Sequence, residues 1–385
     1  MKNTVQYPFY IRLSCTLLSI ISIGYIFFIG ESIIIPVLLA FLFAVLLLPI
    51  ASFLNSKMRL PNAIAVSITV LFFVLSIMAI LAFISYQISD IASDFEGIRK
   101  NINIFVSDIQ GYIRTNFKVS LWEQKKYLED VTENSVKKGK ESIGTTLLSV
   151  TDIIMNLALI PIYIFLILLY RKHFVQFLIQ LIRVEFHNTL SVILIQIKEA
   201  IQNYIIGLII EMIVVSILTS IGLYFIGVQY YILLGIITGI LNLIPYIGIL
   251  IAGVLTFLAS LTGTPDLSII VGVIGVNVIV QLIDNNILVP LIINTKVQIN
   301  AIVSIIGIII GGAVAGVSGM FLAIPILAIL KIIFDQIESL KPWGYLMSDN
   351  LPKNVVWEQQ QAETEVSSDP IISNENDTID ENNAE

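Results

Sequence analysis

Apolar runs long enough to cross a membrane recur along almost the whole chain, and they restrict its fold more than any other feature. A helix needs about 20 apolar residues to traverse the ~30 Å hydrocarbon core of a bilayer. Candidate runs lie at 11–29, 33–54, 63–88, 153–170, 204–226, 231–261, 267–291 and 301–337. With 57% hydrophobic and 13% charged residues, against about 25% charged in ordinary soluble domains, an aqueous fold would lack the polar groups to cover its surface. The sequence therefore predicts an all-α, polytopic integral membrane protein with about eight transmembrane segments. The first run is longer than the core of a secretory signal and has no small-residue cleavage site, so it is expected to persist as a span.

The runs divide the chain into five regions. Residues 1–89 form three N-terminal spans. Residues 90–148 are an extramembrane insert, whose stretch 90–141 has nine acids and nine bases. Within it Ile98, Ile102, Phe105, Ile109, Tyr112 and Ile113 recur at helical spacing, as in an amphipathic helix. Residues 149–203 hold a fourth span and an amphipathic stretch suited to the membrane interface. Residues 204–345 form a C-terminal half, and 346–385 a polar tail. Nine of the 28 acids fall at 358–385, where there is no Lys or Arg. The net charge of -7 therefore belongs to the tail, and the remaining 19 acids nearly balance the 21 bases. Such a tail cannot bury enough apolar surface to order itself.

Short-loop charges orient the chain. With the N-terminus cytoplasmic, Lys2, Arg12, Lys57, Arg59, Arg171, Lys172, Arg183, Lys198, Lys331, Lys341 and Lys353 share that side, and both termini are cytoplasmic. If each run crosses once, Lys296 alone among the short-loop bases falls opposite, together with the insert. Cys15 is the only cysteine, and His173 and His187 lie outside the apolar runs. No metal site or cofactor is therefore expected. The absence of a basic stripe argues against nucleic acid.

The C-terminal half has two irregular segments. Around 231–261, Asn242 is followed by Pro245, Tyr246 and Gly248. Proline removes a backbone donor and glycine permits a tight break, so a helix broken or folded back is expected there. The segment 301–337 contains Gly307, Gly311, Gly312, Gly316, Gly319 and then Pro325. Its glycine spacing fits either close helix packing or a second broken, hairpin-like helix. Paired interruptions of this kind point to a transporter's binding site. Between them run Asn277, Gln281, Asp284 and Asn285, a polar stripe on one helical face, followed by Pro290. A carboxylate near the membrane centre costs about 2.5–3.5 kcal/mol on insertion scales, so this stripe should face a cavity or another helix. Glu211 is the other deep ionisable residue.

Together these features resemble the autoinducer-2 exporter family of bacterial membrane transporters. The resemblance rests on Ile244-Pro245-Tyr246-Ile247-Gly248, on Gln281-x-x-Asp284-Asn285 leading into Val289-Pro290, and on Gly316-x-x-Gly319 leading to Pro325. The layout of three spans, a helical insert and a broken-helix half matches too. The family pattern often has Glu where this chain has Asp284, a stem one methylene shorter. The resemblance implies a homo-oligomeric transporter of the bacterial plasma (inner) membrane, embedded in lipid. Some members are linked to autoinducer-2 export and others to sodium–proton exchange. The sequence thus predicts a secondary carrier for a small polar solute or a monovalent cation, with Gln281, Asp284 and Asn285 beside the Pro245–Gly248 break and Asn277 and Glu211 nearby. A phosphate-cradling loop is absent. An oligomeric channel or scaffold is the alternative of another class. Gly316-Val317-Ser318-Gly319 matches an intramembrane serine protease pattern, but no histidine base lies in a span, so no catalytic residue is expected.

Overall fold

The computed structural model describes residues 8–93, a few positions between 100 and 115, and residues 159–244, 247–260, 267–292 and 298–349. Apart from those few positions, the insert lies outside the described residues, as do Pro245, Tyr246 and the tail beyond residue 349. Every regular element among the described residues is helical. Many of these helices are rich in Ile and Val, which are modest helix formers in water. In lipid the choice is forced, because each backbone polar group must find its partner within the segment.

The helices are α1 (Phe9–Ile29), α2 (Glu31–Ser56), α3 (Asn62–Ser93), α4 (Leu159–Leu181) and α5 (His187–Ile226). They are followed by α6 (Tyr231–Asn242), α7 (Ile247–Ser260), α8 (Leu267–Ile283), α9 (Ala301–Gln336) and α10 (Lys341–Met347). Helix α8 continues through a π-helical turn, Asp284–Leu288, into a last α-turn, Val289–Ile292. Among the described residues, six helices are long and apolar enough to cross a membrane: α2, α3, α4, α5, α8 and α9. Helix α1 adds 21 residues, about 31 Å of helix.

Two cores hold the bundle. Ala40, Ala44, Leu47 and Ala51 of α2 meet Val66 and Val70 of α3 and Ile160, Ile164 and Leu168 of α4. The alanines let the backbones approach closely, which drives association where no hydrophobic effect separates helix from lipid. The opposite side of α2 presents Leu42 to Ile201, Tyr204, Ile205 and Leu208 of α5 and to Leu322 of α9. Gln202 fixes this contact by donating to the Val45 carbonyl at 2.8 Å. The sequence suggests an interfacial helix ending before a fifth span at 204, but α5 runs unbroken through that point for 40 residues. At ~60 Å it extends well beyond the hydrocarbon core, so its N-terminal half carries the polar residues of the interface.

Helices α6 and α7, of 12 and 14 residues, are about 18 and 21 Å long, too short to cross singly. They form an antiparallel hairpin. Helix α6 runs back along α5, with Gly235 against Ser220 and Ser216, and Gly239 against Ser216 and Met212. A Cβ at Gly239 would lie 2.4 Å from the Met212 carbonyl oxygen, so only glycine permits this approach. Helix α7 then reverses: Gly248 abuts the Leu241 carbonyl, and Thr256, farther along, bonds Asn277 of α8. The hairpin therefore starts and ends beside the C-terminal end of α5.

Helix α9 is a second hairpin. Its break is at Ala315 (φ -142°, ψ 27°) and Gly316 (φ 56°, ψ -139°), and the left-handed φ of Gly316 suits glycine. The arms 301–314 and 317–336 pack antiparallel, with Gly307 against Leu327 and Gly311 against Gly319. A Cβ at Gly319 would fall 2.0 Å from the Gly311 carbonyl oxygen. Pro325, which the sequence suggests as part of the break, is buried within the second arm. Both ends of this hairpin are strapped to α10. Asn300 donates its backbone N–H to the Met347 carbonyl at 2.9 Å and its side-chain amide to the Leu346 carbonyl at 2.7 Å. Lys331 donates to the Gly344 carbonyl at 3.3 Å. The two irregular segments are thus hairpins reaching inward from opposite ends of the bundle.

Candidate functional site

Three side chains from three helices converge where the α6–α7 hairpin turns. Glu211 lies midway along α5, Asn242 is the last residue of α6, and Asp284 opens the π-turn of α8. All are buried, at 5%, 9% and 3% exposure. The Asn242 amide nitrogen donates to Glu211 Oε1 at 2.8 Å and to Asp284 Oδ2 at 3.2 Å. One amide nitrogen has two N–H donors, so a single side chain serves both carboxylates. The two bond lengths bound the separation of those oxygens at about 6 Å. The second oxygen of each carboxylate, Glu211 Oε2 and Asp284 Oδ1, is buried without a hydrogen-bond partner among the described residues, as is the Thr238 hydroxyl.

The convergence follows from local structure. The glycine contacts of α6 bring it close to α5, and that register sets Asn242 level with Glu211. The π-turn interrupts the α-helical phase of α8 at Asp284; π-turns of this kind recur at functional sites. A cavity of about 30 Å³ adjoins the group, with Thr238, Asn242, Asn277, Gln281 and Asp284 among its lining. That is room for one or two waters or a similarly small ion, since a single water needs about 10–15 Å³ by this measure.

Electrostatics restrict what the group can hold. Two ionised carboxylates no more than ~6 Å apart repel by at least about 3 kcal/mol at an effective dielectric of 20, in addition to the cost of placing each in the membrane. One amide cannot offset that. A proton on one carboxylate, or a monovalent cation between them, relieves both terms.

The structure divides the polar stripe read from the sequence. Asp284 faces Asn242 and shares its cavity with Gln281, whose amide also donates to Asn285 at 3.0 Å along α8, and Asn285 is exposed. Asn277 donates to Thr256 Oγ1 at 2.7 Å and ties α8 to α7. Pro290 is exposed in the last turn of α8. Gly312 packs on Met320, and Gly316 and Gly319 form the α9 turn and its contact. Thr238 and Thr256 carry no sequence signal, since isolated threonines are common in membrane helices. The role of Asn242 as the bridge is also invisible without the α5–α6 register. No cluster of three or more His, Cys, Asp or Glu able to hold a metal occurs among the described residues.

Known proteins share this architecture's sequence. The family model described as AI-2E family transporter matches residues 17–339. The chain belongs to this family. Relatives in Bacillus subtilis (strain 168) include "Putative transport protein YueF", 24% identical over 318 residues covering 78% of this chain and 83% of that protein. A second, "Putative transport protein YrrI", is 25% identical over 142 residues, 37% of this chain and 40% of that protein. This AI-2E family transporter is thus a multi-pass membrane protein of a transport family.

Proposed function

We propose that this chain is an ion-coupled secondary transporter whose Glu211–Asn242–Asp284 group alternately holds protons and a monovalent cation. The observation that carries the reading is the single Asn242 amide shared by two buried carboxylates, each with a further oxygen unpartnered among the described residues. Charge balance supplies the exchange: a cation binds when a proton leaves. One elementary charge crossing 100 mV gains about 2.3 kcal/mol, enough to bias a two-state rearrangement severalfold or more. The resemblance adds a small polar solute such as autoinducer-2 as cargo.

A second reading within the same class is cation–proton antiport with no further cargo. The ~30 Å³ cavity favours it, since it has room for an ion or one or two waters and not for an organic solute of many atoms. For either reading we propose a homo-oligomer in a bacterial plasma membrane with both termini cytoplasmic. With two hairpins in place of two spans, residues 298–300 would share the side of Lys57, Arg171 and Lys341, which supports this orientation. The one exception among the short-loop bases would then disappear, in line with the positive-inside rule.

The test is proton release on cation binding. Adding Na⁺ to purified protein in weakly buffered detergent should acidify the solution, and Asp284→Asn and Glu211→Gln should release fewer protons. Equal release from both variants and the parent protein would remove the carboxylates from the mechanism.

A further inference from the structure

A second, larger cavity lies between the N-terminal half of α5, the end of the second arm of α9, and the segments around residues 298 and 348. Its volume is about 500 Å³, and its polar lining includes Gln196, Glu199, Asn203, Gln298, Lys331 and Asp335. Lys331 is only 8% exposed, and it donates to Asp335 Oδ2 at 2.7 Å as well as to the Gly344 carbonyl. Gln336 donates to Gln196 at 3.2 Å, joining α9 to α5. The lining charges are two carboxylates against one lysine, and the amides supply carbonyl oxygens suited to cations. A cation with six first-shell waters needs roughly 200 Å³ at ~30 Å³ per water, so the cavity accepts it without dehydration.

The position of this cavity along α5 gives it a direction. Gln196, Ala200, Asn203, Gly207 and Glu211 recur at three- and four-residue spacing and form one stripe on the helix. Asn203 lines the cavity. Between it and Glu211, Gly207 is buried and without a side chain, and Tyr204 and Leu208 are buried against α2 and α9. Eight residues separate Asn203 from Glu211, about 12 Å of rise. In the other direction, Glu211 is fifteen residues from the end of α5, about 22 Å. That stretch, nearly twice as long, is filled by Leu223, Val228, Leu234 and Val273, all at most 5% exposed. There Gly222 also packs directly on Val276.

We propose that the 500 Å³ cavity is the vestibule through which a hydrated monovalent cation reaches the Glu211–Asn242–Asp284 site from the α10 face, with the opposite face closed in this conformation. This inference rests on the ion-coupled reading above and adds the route and the side.

The experiment uses the full chain with Cys15→Ser as a cysteine-free background, in oriented vesicles. Asn203→Cys should react with a membrane-impermeant methanethiosulfonate reagent applied from the α10 face and stay unmodified from the other. Full modification should reduce Na⁺ flux to background. Gln298→Cys, on a different wall, should behave alike and guards against one variant failing to fold. Reaction from the opposite face, or unchanged Na⁺ flux after full modification of both variants, overturns the vestibule. If Asp284→Asn keeps its flux while modified Asn203→Cys loses it, the carboxylate site fails and the vestibule stands as a conduit. Absence of Na⁺ flux in the unsubstituted protein overturns both.

Discussion

Replacing Asn242 with leucine keeps the branching of the side chain and removes both hydrogen bonds to Glu211 and Asp284. The size of the loss reports the charge on the carboxylates. Interhelical hydrogen bonds between neutral groups in membranes average about 0.6 kcal/mol, so two neutral acceptors predict a loss near ~1 kcal/mol. Bonds to charged acceptors contribute about 1.5–3 kcal/mol each. One ionised carboxylate therefore predicts roughly 2–4 kcal/mol, because its burial is then left uncompensated. The larger value is expected at neutral pH in low Na⁺. The assay is reversible unfolding in mixed micelles, repeated as a double-mutant cycle with Asp284→Asn. The cycle should return a coupling of about 1 kcal/mol or more, as for residues in one network. A loss under about 0.5 kcal/mol, the scatter of an ordinary surface substitution, would show that Asn242 does not hold the carboxylates together.

Four further outcomes follow from the hairpins and their strap to α10. Gly316→Ala meets no atom within 4 Å but forces a positive φ on a Cβ-bearing residue, so it should cost about 1–3 kcal/mol through strain alone; an unaltered unfolding midpoint would contradict the turn. Gly319→Leu collides with the Gly311 backbone and should cost more than Gly316→Ala, eliminating folded protein or oligomer on size exclusion. Single cysteines at Gln298 and Lys57 should label from the same membrane face, whereas single crossings by the runs 204–226, 231–261 and 267–291 would put them on opposite faces. Lys331→Met releases the Gly344 carbonyl and Asp335, so amide hydrogens of α10 should exchange faster while those of α2 stay unchanged.

Much of the architecture could be read from apolar run length, because a bilayer leaves helix as the only solution for such runs. The Asn242–Gly248 interruption was legible as a break, and the glycine-rich segment as either a break or a close packing seam. Their exact form was not. Pro325 looks like a helix breaker in sequence, yet the chain bends at Ala315–Gly316, since neighbouring helices can satisfy the carbonyl that a membrane proline frees. The continuity of α5 was hidden by Lys198, Glu199 and Gln202, whose polarity reads as a separate surface helix. A helix longer than the hydrocarbon core carries such residues without a break.

The site was legible in part for a related reason. Helical spacing placed Asn277, Gln281, Asp284 and Asn285 on one face. The π-turn at Asp284 changes that phase, and no periodicity argument anticipates it. Glu211 stood out because a lone carboxylate in a span is costly. That Glu211 and Asp284 share Asn242 depends on the register of α6 against α5, set by Gly235 and Gly239 meeting Ser216 and Ser220. Those contacts join residues far apart in sequence, and spacing within one helix says nothing about them.

The most direct test of the central claim is Na⁺ uptake into proteoliposomes driven by an outward-directed proton gradient. The unsubstituted protein should accumulate Na⁺, uptake should collapse when the proton gradient is dissipated, and Asp284→Asn should abolish uptake at unchanged expression and oligomer size. Undiminished Na⁺ uptake by Asp284→Asn, or uptake indifferent to the proton gradient, would contradict it.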